Sequence, residues 1–199
     1  MTDAAPAGPA RAQLLLDFWF GAPGSPEHDR PRDIWFRADH AFDAELRHRF
    51  LADHEAAAAG ALSPWLAAPD SALALVLLLD QLPRNLFRGS PRAYSCDPAA
   101  RRAAGHAVDR GVDRAVAPVR RWFFYLPFEH SENLADQRRS LELYGSLPAD
   151  QDRELCLRAA QQHHDIIARF GRFPHRNEVL GRSSTTEEEA FLREPGSRF

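Results

Sequence analysis

The longest apolar run in the chain is Ala72-Leu73-Ala74-Leu75-Val76-Leu77-Leu78-Leu79, and Asp80-Gln81-Leu82 follows it directly. The run is rich in Leu and Ala and has one β-branched residue, Val76, so a helix fits it better than a strand. Because it is apolar on every side, the helix should lie buried at the centre of the fold. It is also far shorter than the ~20 residues that a membrane-spanning helix needs.

Helix signals recur on both sides of this run, whereas strand signals are nearly absent. Thr185 and Glu188 have the spacing of a capping box, and Asp39 precedes a run in which Phe42, Leu46 and Phe50 recur every four residues. Segments with helical character are followed by glycines at Gly21, Gly60, Gly111, Gly145 and Gly171. We predict an all-α protein of about eight helices, including 129–145 and 149–170. A single domain should span residues 1–199, with residues 1–9 as a disordered tail.

Composition excludes several classes of partner. The chain of 199 residues is 44% hydrophobic and 27% charged, which is typical of a globular protein. All 25 basic residues are Arg, but the formal net charge of -3 provides no basic surface for nucleic acid. Cys96 and Cys156 lack metal-binding spacing, and the N-terminus lacks the apolar core of a signal peptide. We therefore predict a cytoplasmic location and neither a nucleic-acid nor a membrane partner.

Unusual polar residues concentrate in three short segments, which we call the first segment (residues 80–89), the second segment (125–132) and the third segment (169–177). In the first, Pro83-Arg84-Asn85 follows the apolar helix; in the third, Pro174-His175-Arg176-Asn177 repeats the pattern. If a proline starts a turn at each place, free N–H groups and Arg side chains could clamp an anion from two sides. The alternative for the first segment is an ordinary ion pair between Asp80 and Arg84 at i and i+4.

The second segment carries the candidate catalytic residues. On a continuous helix, Glu129, Glu132 and Asp136 would share one stripe, and a carboxylate beside His130 could form a general acid–base pair. A metal held by these carboxylates and a histidine of another helix is a second interpretation. The third is structural, because acidic residues stabilise the first turn of any helix.

A histidine on the long helix over 149–170 could complete this site. His163 falls on the same face as Leu155, Ala159, Ile166 and Phe170, so it should point inward. A lone inward histidine is usually a core residue with a hydrogen bond, but this one could meet the face of Glu129 and Glu132. The predicted catalytic residues are Glu129, His130 and Glu132. The predicted ligand-binding residues are Asp80, Arg84, Asn85, Arg88, His163, Arg172, His175, Arg176 and Asn177.

The same segments carry a resemblance to a known family. The strings Asp17-Phe18-Trp19-Phe20-Gly21, Trp35-Phe36, Leu79-Asp80-Gln81-Leu82-Pro83-Arg84-Asn85, Tyr125-Leu126-Pro127-Phe128-Glu129-His130-Ser131-Glu132 and Arg169-Phe170-Gly171-Arg172-Phe173-Pro174-His175-Arg176-Asn177 resemble a bacterial family known as domain of unknown function 924. The resemblance runs from about residue 13 to the C-terminus. It implies a tetratricopeptide-like fold of stacked antiparallel helix pairs, although the sequence shows no 34-residue repeat. It implies no activity and no catalytic residue.

Three hypotheses for function follow from these residues. The leading one is a hydrolase-like enzyme that acts by acid–base chemistry on a small anionic metabolite, without a cofactor or a metal. A non-catalytic helical module that binds a peptide or protein partner is the first alternative. A metal-dependent helical enzyme that uses Glu129, Glu132, Asp136 and His163 is the second.

Overall fold

The computed structural model describes residues 8–197, which fold into eight α-helices joined by turns and short 3₁₀ helices, with no β-strand in that range. The α-helices are α1 (Pro9–Phe20), α2 (His40–Ala58), α3 (Pro69–Leu86), α4 (Asp97–Asp109), α5 (Pro118–Glu129), α6 (Leu134–Gly145), α7 (Gln151–Phe170) and α8 (Thr186–Phe191). The prediction of an all-α fold is confirmed. Most of the predicted disordered tail lies outside the described residues, except that α1 already begins at Pro9.

Backbone proximity divides the chain into two compact units. Unit 1 comprises Met1–Arg88 and Arg92–Pro127, and unit 2 comprises Gly89–Pro91 and Phe128–Phe199. The prediction of one domain stays a prediction. None of the helices in residues 8–197 is long and apolar enough to cross a membrane.

Helix α3 forms the centre of unit 1. It packs against α1, α2 and α4, and every residue from Ser71 to Pro83 is buried. The sequence prediction of a central buried helix is therefore correct. Also in unit 1, Trp19 and Phe20 of α1 pack edge-on against Phe123 of α5, with ring centroids 5.7 and 5.2 Å apart.

Unit 2 is built on the pair α6 and α7, which pack against each other. Its apolar cluster consists of Ile166 and Ile167 of α7 and Phe173 of the following turn. Gly171 ends α7 in the left-handed conformation, with φ 69°, which suits a glycine because it has no Cβ. The chain then enters a 3₁₀ helix that starts at Pro174.

Pro83 does not start a new turn. It lies inside the last turn of α3, which continues to Leu86, and the N–H of Phe87 donates to the Pro83 carbonyl at 3.0 Å. A proline inside a helix removes one helical hydrogen bond, and the burial of its neighbours keeps the helix intact. The predicted likeness between the turns at Pro83 and Pro174 is therefore wrong for Pro83.

The helix predicted over 129–145 is interrupted. Helix α5 ends at Glu129, and α6 starts after Asn133, whose side chain accepts a hydrogen bond from the Ala135 N–H at 2.8 Å. Asn is among the best N-cap residues, which explains why the second helix starts there. Glu129, Glu132 and Asp136 therefore do not share a helical stripe.

Candidate functional site

In unit 1, the first segment is dominated by ion pairs within the chain. Arg84 donates to both carboxylate oxygens of Asp97, at 2.9 and 3.1 Å, and its Nη1 lies 3.4 Å from the fully buried carboxylate of Asp80. Burial opposes the charge of Arg84, but the carboxylates of Asp80 and Asp97 outweigh burial and raise its pKa. The ion pair between Asp80 and Arg84, which was the alternative interpretation of the first segment, is thus present.

The other polar residues of the first segment meet one carboxylate of α2. Asn85 donates to Asp43 Oδ1 at 2.7 Å, and Arg88 donates to both oxygens of Asp43, at 2.6 and 3.1 Å. Asp43 therefore links α2 to the end of α3. This contact gives Asn85 and Arg88 a structural role, and their predicted ligand-binding role stays a prediction.

In unit 2, the third segment is also partly structural. Arg172 donates to both oxygens of Glu188, at 2.6 and 2.7 Å. Glu188 also completes the capping box of α8, because it accepts from the Thr185 N–H at 2.7 Å. The hydrogen bonds from Arg172 lower the pKa of Glu188 to about 2. Asn177 bonds Ser184 at 3.0 Å and reaches the same carboxylate at 3.4 Å.

Glu132 joins the second segment to the third through its carboxylate. It accepts two hydrogen bonds from Arg182, at 2.7 and 3.0 Å, and one from the Phe173 N–H at 2.8 Å. Burial would raise the pKa of Glu132, but these hydrogen bonds from Arg182 and Phe173 lower it overall. Such contacts are those of a structural anchor, and the catalytic role predicted for Glu132 is untested.

Glu129 and His163 form a buried pair in unit 2. The side chains are 4% and 11% exposed, and Glu129 Oε1 lies 3.2 Å from His163 Nδ1. The same nitrogen lies 2.9 Å from the carbonyl of Ala159, one turn back on α7. Since a carbonyl can only accept, we assign the imidazole proton to Nδ1, which leaves the lone pair on Nε2. The prediction that His163 points inward is confirmed.

The imidazole of His163 is held neutral. Burial lowers its pKa to about 3, and the nearby charges of His130, Arg176 and His175 act in the same direction. The hydrogen bond to Ala159 opposes the shift without cancelling it. Helix α7 also places Cys156 in this region, where burial first and the charge of Glu129 second raise its pKa to about 12. That thiol is therefore a poor nucleophile.

Basic side chains of the second and third segments complete the surroundings of His163. Arg176 is buried, donates to the His130 carbonyl at 3.1 Å and lies 4.4 Å above the ring of Phe173. The rings of His130 and Phe173 lie 6.4 and 5.5 Å from that of His163. We call Glu129, His130, His163, His175 and Arg176 the histidine cluster.

The structure thus gathers part of the predicted site in unit 2 and places the polar residues of the first segment, from Asp80 to Arg88, in unit 1. Glu129, His130, His163, His175 and Arg176 come together, whereas Glu132 and Arg172 belong to neighbouring ion pairs. Within residues 8–197, no group of three or more His, Cys, Asp or Glu side chains is placed to hold a metal ion. Asp136, which the metal hypothesis needs, instead accepts from Ser131 at 2.7 Å.

Sequence reasoning missed the buried polar group around Asp113 in unit 1. Asp113, which is 2% exposed, accepts from the hydroxyl of Tyr125 at 2.7 Å, and Arg121 donates to that hydroxyl at 3.0 Å. Burial first, and Asp113 second, raise the pKa of Tyr125 to about 12. Asp113 sits in a short 3₁₀ helix, Val112–Ala115, where no helical periodicity marks it as buried.

Two comparisons with known proteins match most of the chain. The model of a family described as bacterial protein of unknown function, DUF924, matches residues 15–196. The solved structure of a protein of unknown function from Agrobacterium tumefaciens is 46% identical and superposes with a TM-score of 0.82. The alignment covers 92% of this chain and 97% of that protein. A comparison with curated proteins gave no match.

Proposed function

The chain belongs to the bacterial DUF924 family, whose description names no function, and we propose that this member is a hydrolase-like enzyme that acts on a small anionic molecule at the histidine cluster. One observation carries the proposal: a carboxylate and a neutral imidazole lie 3.2 Å apart in a buried setting, beside further basic side chains. Strongly perturbed ionisable groups that share one region are typical of sites that move protons.

The geometry suggests a role for each group. Glu129 would accept a proton from a water molecule as the water oxygen bonds to the electrophilic carbon or phosphorus of the substrate. His130 would return a proton to the leaving group, so that the bond to that group breaks without leaving an unstable anion. His163 is a positioning residue, because its Nδ1–H faces Glu129 Oε1 and fixes the carboxylate.

The basic side chains indicate the substrate class. His130, His175 and Arg176 all act on His163 as neighbouring positive charges, and Arg presents a fork of donors that suits carboxylates and phosphates. Since these groups are partly or fully buried, an anion placed among them would be held more strongly than in water. We therefore propose as the substrate a small ester that carries a carboxylate or phosphate group.

The proposal can be tested with the whole chain and simple probes. We expect wild-type protein to hydrolyse p-nitrophenyl phosphate, and Glu129→Gln to lower kcat about 100-fold or more. Inorganic phosphate should raise the Tm of the wild type but not that of Arg176→Met. Arg169→Met, which breaks an exposed pair with Glu187, is the matched control. The absence of both turnover and a phosphate effect on the Tm in the wild type would end the proposal. Turnover that Glu129→Gln leaves unchanged would also end it.

A second candidate function is a helical module that binds a peptide or protein without catalysis. The observation in its favour is that Arg84, Arg88 and Arg172 are each held by a carboxylate of the chain. If this function is correct, replacing Arg84 or Arg172 with alanine would lower the stability of the protein. Neither variant would remain folded and lose only the binding of a small anion. A folded Arg176→Met protein that no longer responds to phosphate would favour the enzyme instead.

A further inference from the structure

An open cavity of about 410 Å³ lies in unit 1, between the end of α1, the loop that follows it and α2. Its volume is within the range of sites that bind small molecules, about 300–1,000 Å³. Its lining contains no residue of the histidine cluster, so a ligand there would not occupy the proposed acid–base site.

Two aromatic rings form the apolar part of the cavity wall. Phe18 of α1 stacks on Phe42 of α2, with ring centroids 5.2 Å apart and an angle of 19° between the ring planes. Phe42 is buried, whereas Phe18 is only half-buried. The stack therefore joins the two helices and leaves part of Phe18 accessible from the cavity.

Two guanidinium groups of the wall contact Phe18. Arg32 Nη1 donates to the carbonyl oxygens of Phe18 and Trp19, at 3.0 and 2.7 Å, and the guanidinium carbon of Arg49 lies 4.9 Å from the centre of the Phe18 ring. In the described part of the chain, their one carboxylate contact joins Arg49 to Glu45, at 3.8 Å and with both side chains exposed. An exposed contact of this length contributes little, so both cations are available to an anionic group of a ligand.

Two carboxylates lie on the same wall. Asp17 precedes Phe18 in the last turn of α1 and accepts from the amide of Gln13 at 2.7 Å, and Glu27 belongs to the loop after α1. Neither carboxylate forms an ion pair within the residues that the structure describes. Because the C-terminal end of a helix carries partial negative charge, Asp17 would be stabilised by a cation.

This arrangement differs from the rest of the chain. Other arginines bind carboxylates at 2.6 Å, as in the pairs Arg11–Asp53, Arg88–Asp43 and Arg172–Glu188. At the cavity, two cations and two carboxylates share one wall without pairing with each other. Opposite charges that stay apart around a cavity fit a ligand that carries both charges.

We propose that this cavity binds a small zwitterion of the α-amino-acid class. The ammonium group would donate to Asp17 and to Glu27, and the carboxylate would accept from Arg32 and Arg49. The side chain of the ligand would pack against Phe18. The site goes beyond the acid–base proposal and does not depend on it, because its tests measure binding and not turnover.

The requirement for both charges provides the first test. At about 1 mM, at least one of the standard amino acids should raise the Tm of the wild type by about 2 °C or more. Its N-acetyl derivative lacks the ammonium group and its amide lacks the carboxylate, so neither should produce this shift. The proposal is wrong if no amino acid raises the Tm, or if either derivative raises it as much as the amino acid does.

Two variants provide the second test, which locates the site. Asp17→Asn keeps an acceptor for Gln13 but removes the charge, and Arg49→Met removes the guanidinium group. Both side chains reach the surface, so we expect folded proteins with unchanged circular dichroism. Isothermal titration calorimetry with the amino acid that raises the Tm most should show affinity reduced about 10-fold or more in each variant.

Two further variants are the controls for this titration. Glu45→Gln breaks the exposed contact with Arg49 outside the cavity, and Arg176→Met changes the histidine cluster. Both should bind the amino acid as tightly as the wild type does. Unchanged affinity in Asp17→Asn or in Arg49→Met would overturn the proposal. An equal loss of affinity in Arg176→Met would also overturn it, because the amino acid would then occupy the histidine cluster.

Discussion

The first segment and the histidine cluster place ionisable side chains in different surroundings. In unit 1, Arg84, Asn85 and Arg88 each contact a carboxylate of the chain. In unit 2, the central contact joins a carboxylate to an imidazole that burial keeps neutral. Charge that is matched in place contributes to folding, whereas burial in unit 2 lowers the pKa of one group, His163, to about 3.

The largest effect on stability should come from breaking the ion pairs of Arg84 in unit 1. Arg84→Met would remove a cation that contacts the buried carboxylate of Asp80 and that of Asp97, and we expect the free energy of unfolding to fall by about 3–5 kcal/mol. Denaturant unfolding followed by circular dichroism measures this. Arg88→Met is the control, because its side chain is 38% exposed, and a pair of this kind contributes about 0–1 kcal/mol. Equal losses for the two variants would show that burial of Asp80 is not what matters.

A smaller effect on stability should appear as the pH falls, because His163 is buried as a neutral imidazole. The unfolded chain binds a proton at this residue near pH 6.5, and the folded chain does so only near pH 3. The stabilising effect of the neutral imidazole is therefore complete above pH 6.5 and is lost as the pH falls. The loss approaches about 1.4 kcal/mol per pH unit. His163→Gln should flatten this slope between pH 7 and pH 5. An NMR titration that places the pKa of His163 at 6 or above would contradict this prediction.

The smallest effect on stability should come from the contacts that Glu132 makes with Arg182 and with the Phe173 N–H. Glu132→Gln removes the charge that Arg182 and the Phe173 N–H bind, and we expect a loss of about 1–2 kcal/mol near pH 7. Because the pKa of Glu132 is lowered, the difference between wild type and variant should shrink as the pH falls below the usual range of a glutamate. Glu187→Gln, in an exposed pair with Arg169, should change stability little. A pH-independent difference would mean that packing, and not charge, makes the contact important.

The sequence predicted most of the helices because their signals are local. The apolar run of α3, the cap at Asp39, the capping box at Thr185 and the glycine at the end of α7 all depend on neighbours within one turn. Two local predictions failed where two rules competed. Pro83 stayed helical because burial of α3 outweighed one lost hydrogen bond, and Asn133 divided a predicted helix because it caps α6.

The site was harder to predict because its partners are distant in sequence. Asp43 and Arg88 are 45 residues apart, and Glu132 and Arg182 are 50 apart. No periodicity reveals such pairs, so an Arg in a polar segment looks the same whether it binds a ligand or a carboxylate of its own chain. The inward position of His163 was predictable from α7. Leu155, on the face predicted to be buried, is 55% exposed, and Cys156 lies inward in its place.

The stability of α8 depends on the carboxylate of Glu188. Helix α8 has only six residues, too few for an isolated helix to persist in water. Glu188 both caps its start and binds Arg172, so losing that one carboxylate contact would release the helix and its anchor together. Helix α8 should therefore open and close as one cooperative unit, so that its amides exchange with a common free energy of opening that is well below the free energy of global unfolding.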